Sequence, residues 1–167
     1  LVVTVRLWLS NRRLKAKRVE LKQSMGRLTE SEARQRAILQ ALGEGVCGAD
    51  AEGRCGFINA TALAMLKIDE SQALGHDLHK LLHPQRPDGQ PYPINECPTC
   101  HLRQDGQTRH QDEWFYRQDG GCFPVALTVA PLLADHPEAG IVVAFRDISR
   151  TRAAEAQLRK LSQAVEQ

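Results

Sequence analysis

The pattern of apolar and polar positions divides the chain into two groups of β-strands separated by helices. Five strands are expected, at about 46–50, 54–58, 109–117, 122–133 and 140–147. In the fourth of these, alternate positions are apolar, which is the repeat of a strand that buries one face. These positions are Phe123, Val125, Leu127 and Val129. Turn sequences at Glu52-Gly53 and Asp119-Gly120 join strands within each group.

Short helices are predicted between the two groups of strands. Asn59 is expected to cap the first helix. Further helices are expected at 69–74, at 76–83 and from Asn95 to about Gln104. The segment 84–93 contains four prolines and one glycine, so it is predicted to be a loop. Two strands, then helices, then three strands is the order of an α+β domain, in which a five-stranded antiparallel sheet carries its helices on one face.

Heptad spacing near the N-terminus predicts a helix that pairs with another helix. Leu14, Leu21 and Leu28 recur every seven residues, which indicates a short parallel coiled coil. Directly afterwards, Thr29 to Glu32 has the pattern of a capping box. Either a new helix, or a continuation of the first with a soft joint at Gly26, is therefore expected over about 31–42.

The C-terminal stretch 149–167 is predicted to be another helix with a heptad pattern. Its apolar residues at a and d positions are Ala154, Leu158, Leu161 and Val165. Since no other part of the domain is expected to bury this stripe, a partner helix is predicted. The two terminal helices together predict a homodimer.

The first nine residues are apolar except for Thr4 and Arg6. A helix needs about 20 apolar residues to cross a bilayer, so this stretch alone is too short. Because a basic block follows immediately, we interpret it as the end of a truncated membrane helix, with Trp8 at the interface and the basic block on the cytoplasmic side. The block comprises Arg12, Arg13, Lys15, Lys17 and Arg18. The alternative is the start of a soluble amphipathic helix or a strand.

Composition narrows the class of protein. The chain has 167 residues, 42% hydrophobic and 25% charged, which suits one globular domain with extensions. Its net charge of +2 gives no reason to expect nucleic-acid binding. The five cysteines are odd in number and irregularly spaced, which indicates a reduced cytosolic compartment and not a disulfide framework.

Several stretches, taken in order, resemble a PAS domain, the sensory-box fold of bacterial signalling proteins. The resemblance covers about 32–157. It rests on SEARQRAILQALGEGVCGADAEGRCGFINATALAML, ESQALGHDLHKLLHP, RPDGQPYPINECP, DEWFYRQDGGCFPVALTVAPL and GIVVAFRDISRTRAAEAQL. Asp147-Ile148-Ser149 corresponds to the family's Asp-Ile-Thr exit motif. Asp147 and Ser149 can also cap the last helix and tie it to the sheet, which makes them the expected signal-relay residues.

The resemblance implies a module that senses and transmits but catalyses nothing itself. It implies three parts, a membrane-proximal stub and linker helix at 1–30, a sensory domain at 31–149 and an exit helix at 150–167 that leads to a further domain. The whole protein would be a receptor of the histidine kinase or diguanylate cyclase type at the cytoplasmic face of the bacterial inner membrane. The alternatives are a dimerisation and relay module without a ligand, and a cysteine-based redox switch.

Histidines on the predicted ligand side of the domain are candidate cofactor ligands. Some PAS relatives hold haem through one histidine on a helix over the sheet, and an imidazole in an apolar pocket is a good iron ligand. His79 and His83 are four residues apart and share a helix face. The resemblance therefore implies that these two would hold haem, if the domain holds a cofactor at all. A ligand-free pocket filled by side chains is the alternative.

Two cysteines form the other candidate site. Cys97 and Cys100 stand at a helix start with Pro98 between them, an arrangement that lowers thiolate pKa values and permits a disulfide. We predict a redox pair, against the simpler interpretation of one buried and one partly exposed thiol. With His101 the motif also spells the c-type haem attachment signature. Zinc would need a fourth ligand from His79, His83 or Cys122, and because the sequence does not show that these converge, no metal site is predicted.

Overall fold

The computed structural model describes residues 2–100 and 106–165, with side chains described over 12–100 and 106–164. Five strands form one antiparallel sheet. They are β1 (Gly45–Asp50), β2 (Cys55–Ile58), β3 (Arg109–Tyr116), β4 (Cys122–Pro131) and β5 (Gly140–Asp147). The α-helices are α1 (Val2–Ala41), α2 (Ala60–Leu66), α3 (Glu70–Ala73), α4 (Leu78–Leu82) and α5 (Ser149–Val165).

The sheet has the order β2-β1-β5-β4-β3, so the first and last strands of the chain meet at its centre. Cys47 of β1 lies opposite Val143 of β5, and Val143 lies opposite Val129 of β4. All three are buried, because inward-facing positions of neighbouring antiparallel strands fall in register on one face. The predicted α+β class and all five strands are confirmed, with ends that differ by at most two residues.

The first helix is continuous, as one of the two alternatives for residues 31–42 expected, but the capping box predicted at Thr29 to Glu32 is wrong. Thr29 does not cap a new helix, because its hydroxyl donates to the carbonyl of Met25 one turn earlier, at 3.0 Å. A threonine that bonds back in this way is accommodated inside a helix. Gly26 has nothing within 4 Å of the position where a Cβ would stand, so the helix passes through it without a packing constraint.

Residues 1–38 and 39–167 form two separate compact units. In the first unit the heptad residues Leu14, Leu21 and Leu28 are exposed. No helix in the described part of the chain is both long and apolar enough to cross a bilayer. The predicted interfacial position of Trp8 lies outside the residues whose side chains are described, and pairing of the helices stays a prediction.

Asn59 caps α2 as predicted and also joins this helix to the sheet. Its Oδ1 accepts from the amide of Ala62 at 2.8 Å and from the amide of Val46 at 3.0 Å, while its Nδ2 donates to the carbonyl of Glu44. One side chain thus fixes the start of the helix and its position beside β1. The hydrophobic core lies between the sheet and the helices, with Phe115, Phe123, Phe145, Leu66, Leu78 and Leu82 among its largest members.

Two short helices differ from their predicted bounds. The one expected at 76–83 is α4, and it begins after Asp77, whose side chain accepts from the amide of Lys80. The helix expected from Asn95 begins later, since residues 94–96 form a 3₁₀ turn and the described α-helical residues are 98–100. Proline at 98 suits the first turn of a helix because its missing amide hydrogen needs no partner there. Residues 101–105, and with them His101, lie outside the described residues.

Candidate functional site

His79 of α4 and His83, the residue directly after that helix, lie side by side and point into the domain. The backbone of His83 has left the helical conformation, but its amide still donates to the carbonyl of His79, and the two ring centroids are 4.8 Å apart. His79 is 8% exposed and His83 is fully buried. The Asp77 cap sets the start of α4 and so fixes the face that carries His79.

Cys97 meets His83 from the segment that follows the proline-rich loop. Its Sγ lies 2.9 Å from Nε2 of His83 and 2.7 Å from the hydroxyl oxygen of Thr99. The 3₁₀ turn before Cys97 and the helical residues after it hold the sulfur in place, and Cys97 is fully buried. His79, His83 and Cys97 thus each offer one ligand atom, and these atoms lie within 4.8 Å of one another.

Tyr92, in the proline-rich loop 84–93, packs against this cluster. Its ring centroid is 4.8 Å from that of His83, and its carbonyl oxygen lies 3.2 Å from Nε2 of His79. Its hydroxyl donates to Glu113 on β3 at 3.1 Å. Burial, with the nearby Glu113 carboxylate, raises the pKa of Tyr92 well above its ordinary value, so the phenol stays protonated and remains a donor.

Both histidines keep one ring nitrogen without a hydrogen-bond partner. Nδ1 of His79 and Nδ1 of His83 are buried and have no partner among the described residues. A buried polar atom left in this state costs about 1–3 kcal/mol, so such atoms usually have a role or a missing partner. The Cys97 sulfur raises the pKa of His79, and burial acts in the opposite direction.

A small pocket lies beside the cluster and holds about 200 Å³. Its walls include His79, Thr99 and the partly exposed Cys100. Pockets that take organic ligands of drug size usually hold about 300–1,000 Å³. Among the described residues, the pocket, together with the packing of His83 between Tyr92 and Phe115, leaves no room for a porphyrin. The site residues therefore do not fit haem, although His79 and His83 are buried at the predicted place.

The two predicted redox residues lie in different environments. Cys97 belongs to the buried cluster, whereas Cys100 lines the neighbouring pocket. The redox pair stays a prediction. Sequence spacing gave no signal for Tyr92, Thr99 or Phe115, since each reaches the histidines only through the folding of the loop and of β3.

The predicted relay residues lie where β5 passes into α5. Oδ1 of Asp147 accepts from the amide of Ser149 at 2.8 Å, and its Oδ2 accepts from the guanidinium of Arg117 at 3.2 Å. The Arg117 guanidinium also lies 3.9 Å over the ring of Phe123. Asp147 therefore joins the first turn of the exit helix to the end of β3, as the sequence predicted for the cap. Its role in signalling stays a prediction.

A second contact joins α5 to β3 on the opposite face of the sheet from the cluster. Arg152 donates to Asp112 at 2.8 Å and lies 5.8 Å from the ring of Trp114. Phe115, the next residue, faces the other way, with its ring 5.6 Å from His83 and 4.9 Å from Phe145. Because side chains of a strand alternate between faces, β3 contacts the cluster with one face and the exit helix with the other.

An antiparallel sheet with a buried polar cluster on its helical face, and a helix that leaves from its last strand, defines a small α+β domain. The family model for the PAS fold matches residues 33–148, and the chain belongs to the PAS family. No curated protein matches the chain significantly.

Solved structures share this fold at low sequence identity. The PAS domain of an HTR-like protein from Haloarcula marismortui is 20% identical, with a TM-score of 0.57 over 76% of this chain and 99% of that one. A PAS domain from Colwellia psychrerythraea is 15% identical, with a TM-score of 0.54 over 71% and 98%. A domain of a sensory box sensor histidine kinase/response regulator from Geobacter sulfurreducens is 17% identical, with a TM-score of 0.53 over 72% and 96%.

Membership of this family makes the chain a sensory signalling module. PAS domains sense and transmit but are not themselves catalytic, and they generally dimerise. The predicted fold and the predicted family are therefore both confirmed.

Proposed function

We propose that this chain is the input module of a membrane-tethered receptor of the histidine kinase or diguanylate cyclase type, at the cytoplasmic face of the bacterial inner membrane. A change at the cluster of His79, His83 and Cys97 alters β3, and β3 passes the change to α5. Two α5 helices paired in a homodimer carry it to an output domain beyond the chain. The solved histidine kinase domain with the same fold supports this kind of context.

The observation that carries the proposal is the double contact of β3. Through Phe115 the strand packs against His83, and through Asp112 it binds Arg152 of the exit helix. The Asp147 side chain adds a third point of attachment, because it holds the Ser149 amide of α5 and the Arg117 guanidinium just after β3. A displacement of β3 relative to β5 therefore changes contacts at the start of the exit helix.

The stripe of α5 supports pairing with a second copy. Leu158 and Leu161 are exposed, at 66% and 57%, on a helix whose first turn is fixed to the sheet. Apolar side chains at heptad spacing on an otherwise polar helix need a partner helix to become buried. Dimeric helices can transmit a signal by rotation or by a change of register.

An output assay in the intact receptor tests the relay. Asp147→Ala removes both contacts of the carboxylate, so the output rate is expected to shift several-fold from the wild-type value and to lose its response to stimulus. Autophosphorylation from ATP and cyclic dinucleotide formation from GTP are the two readouts. Asp119→Ala is the matched control, because it removes an exposed aspartate that pairs with Lys67 and does not contact α5.

An Asp147→Ala receptor with wild-type output and wild-type response would refute the relay. The domain fold is checked separately by circular dichroism, because loss of a helix cap costs only about 1 kcal/mol and leaves the fold intact. A dimerisation module without a ligand would show the same shift on Asp147→Ala, but its output would not respond when the cluster is altered.

A further inference from the structure

We propose that His79, His83 and Cys97 form a binding site for a transition-metal ion of the zinc class. The site deepens the proposed sensory function, and the metal's role as a signal depends on that function. Metal binding itself is a property of this chain and is tested on it alone. Neither the family nor the similar structures assign these residues to a metal.

The donor set is the first argument. Two imidazole nitrogens and one thiolate sulfur are the ligands that Zn²⁺ prefers, usually in a tetrahedral arrangement. In such a site the ligand atoms lie about 3.3–3.8 Å apart, as follows from metal–nitrogen bonds near 2.1 Å and metal–sulfur bonds near 2.3 Å. Here the three ligand atoms lie within 4.8 Å of one another, and Nε2 of His83 lies 2.9 Å from Sγ of Cys97. Small side-chain rotations accommodate an ion.

The tautomer of His79 is the second argument. A metal-bound histidine usually donates its other ring N–H to a carbonyl or carboxylate, which fixes the ring and increases its basicity. Nε2 of His79 lies 3.2 Å from the carbonyl oxygen of Tyr92, which can only accept. Nε2 therefore carries the hydrogen, and Nδ1 keeps its lone pair. This Nδ1 is the buried atom that has no partner among the described residues.

The surroundings of the sulfur are the third argument. The hydroxyl of Thr99 lies 2.7 Å from Sγ of Cys97 and can donate to a thiolate. When the ion binds, Cys97 loses its thiol proton to solvent and both imidazoles bind as neutral ligands, so the site gains one positive charge overall. The ion also satisfies the buried lone pair of His79. A water molecule in the adjoining pocket of about 200 Å³, which His79 and Thr99 line, supplies the fourth ligand.

Cobalt(II) is the spectroscopic probe, because it occupies zinc sites and a cobalt–thiolate bond absorbs in the near ultraviolet. The purified chain is stripped with a chelator under reducing conditions and titrated with Co²⁺, and the bound Co²⁺ is then displaced with Zn²⁺. One equivalent is expected to produce the thiolate charge-transfer band, and one equivalent of Zn²⁺ is expected to abolish it. Zn²⁺ is also expected to raise the Tm, since a ligand that binds the folded state stabilises it.

Variants decide which residues hold the ion. Cys97→Ser should abolish the charge-transfer band, and His79→Gln should weaken Co²⁺ binding by more than about 100-fold, because loss of an outer-shell partner alone costs 10–100-fold. The matched controls Cys122→Ser and His110→Gln change an exposed cysteine and an exposed histidine outside the cluster and should bind like the wild type.

Thr99→Val serves as a second test should Cys97→Ser fail to fold. It removes only the hydroxyl beside the sulfur, and a 10- to 100-fold loss of affinity with an unchanged metal-free circular dichroism spectrum is expected. The absence of a stoichiometric band in the wild type, a band that survives Cys97→Ser, or equal losses in the control variants would overturn the metal site.

The experiments distinguish a failure of the proposed relay from a failure of the proposed metal site. If Co²⁺ binds as described and Asp147→Ala leaves receptor output unchanged, the relay is wrong and the metal site stands. If Co²⁺ does not bind and Asp147→Ala changes output, the metal assignment is wrong and the relay stands.

Discussion

The side chain of Phe115 joins the candidate site to the core of the sheet. It is fully buried, and its ring packs against Phe145 at 4.9 Å and against His83 at 5.6 Å. Replacing a buried phenylalanine by alanine costs about 3–5 kcal/mol through lost burial and the cavity left behind. A T-shaped ring pair adds about 0.5–1.5 kcal/mol beyond burial. We therefore expect Phe115→Ala to lose about 4–5 kcal/mol of unfolding free energy.

Urea unfolding followed by circular dichroism measures this loss. The protein concentration must be kept constant, because dimer formation makes apparent stability depend on it. Phe57→Ala is the matched control, since it removes the same atoms from a β2 residue that is 41% exposed. Its expected cost is about 1–2 kcal/mol, in proportion to the smaller apolar area that it buries.

Equal losses in the two variants would refute the reasoning, because the two phenylalanines differ in burial. A Phe115→Ala protein that loses less than 2 kcal/mol would also contradict it, and would mean that the space around His83 collapses without cost. The slope of the transition must be compared as well, because a change in slope indicates a change in the surface exposed on unfolding and not in stability alone.

Further predictions concern the glycines of the first hairpin and the thiols. A Cβ on Gly48 would stand 2.1 Å from the ring of Phe57, whereas one on Gly56 would meet nothing within 4 Å. Gly48→Ala should therefore lower the free energy of unfolding by about 1–3 kcal/mol, whereas Gly56→Ala should leave it unchanged or raise it by about 0.5 kcal/mol. Urea unfolding measures both changes. Equal effects would contradict the packing of the Phe57 ring against Gly48. Native-state alkylation with iodoacetamide should modify the exposed Cys122 and spare Cys47, because burial removes its access to reagent and raises its thiol pKa. Mass spectrometry of tryptic peptides reads this out, and early modification of Cys47 would show that the hairpin opens.

Local signals explain why so much of the fold could be predicted. Alternation in β4 marks its buried face, and the glycines at 53 and 120 adopt the positive φ angles that their turns require. The capping box was predicted wrongly for a related reason. The pattern of Thr29 to Glu32 is a local one, but a long helix satisfies the same hydroxyl through the carbonyl of Met25.

The candidate site could be predicted only in part, because its members meet through non-local folding. The spacing of His79 and His83 predicts that they lie side by side, and that much was visible. Cys97 reaches them across the proline-rich segment 84–93, whose path no periodicity describes. The orientation of Tyr92, with its carbonyl toward His79 and its ring against His83, depends on that same path.

The side-chain contacts between the sheet and α5 contribute free energies of the size that is typical of allosteric coupling. The ion pair of Arg152 with Asp112 is exposed and contributes about 0–1 kcal/mol. The Asp147 carboxylate is more enclosed, with its side chain 28% exposed and that of Arg117 24%, and its bond to the Ser149 amide adds about 1 kcal/mol as a cap. Together these contacts amount to a few kcal/mol at most. Allosteric coupling free energies are typically 1–3 kcal/mol, which corresponds to a 5- to 150-fold change in affinity. Attachments of this size can be broken by a shift of β3 without unfolding the core. A disulfide or a fully buried ion pair between β3 and α5 would instead hold α5 in one state whatever happened at the cluster.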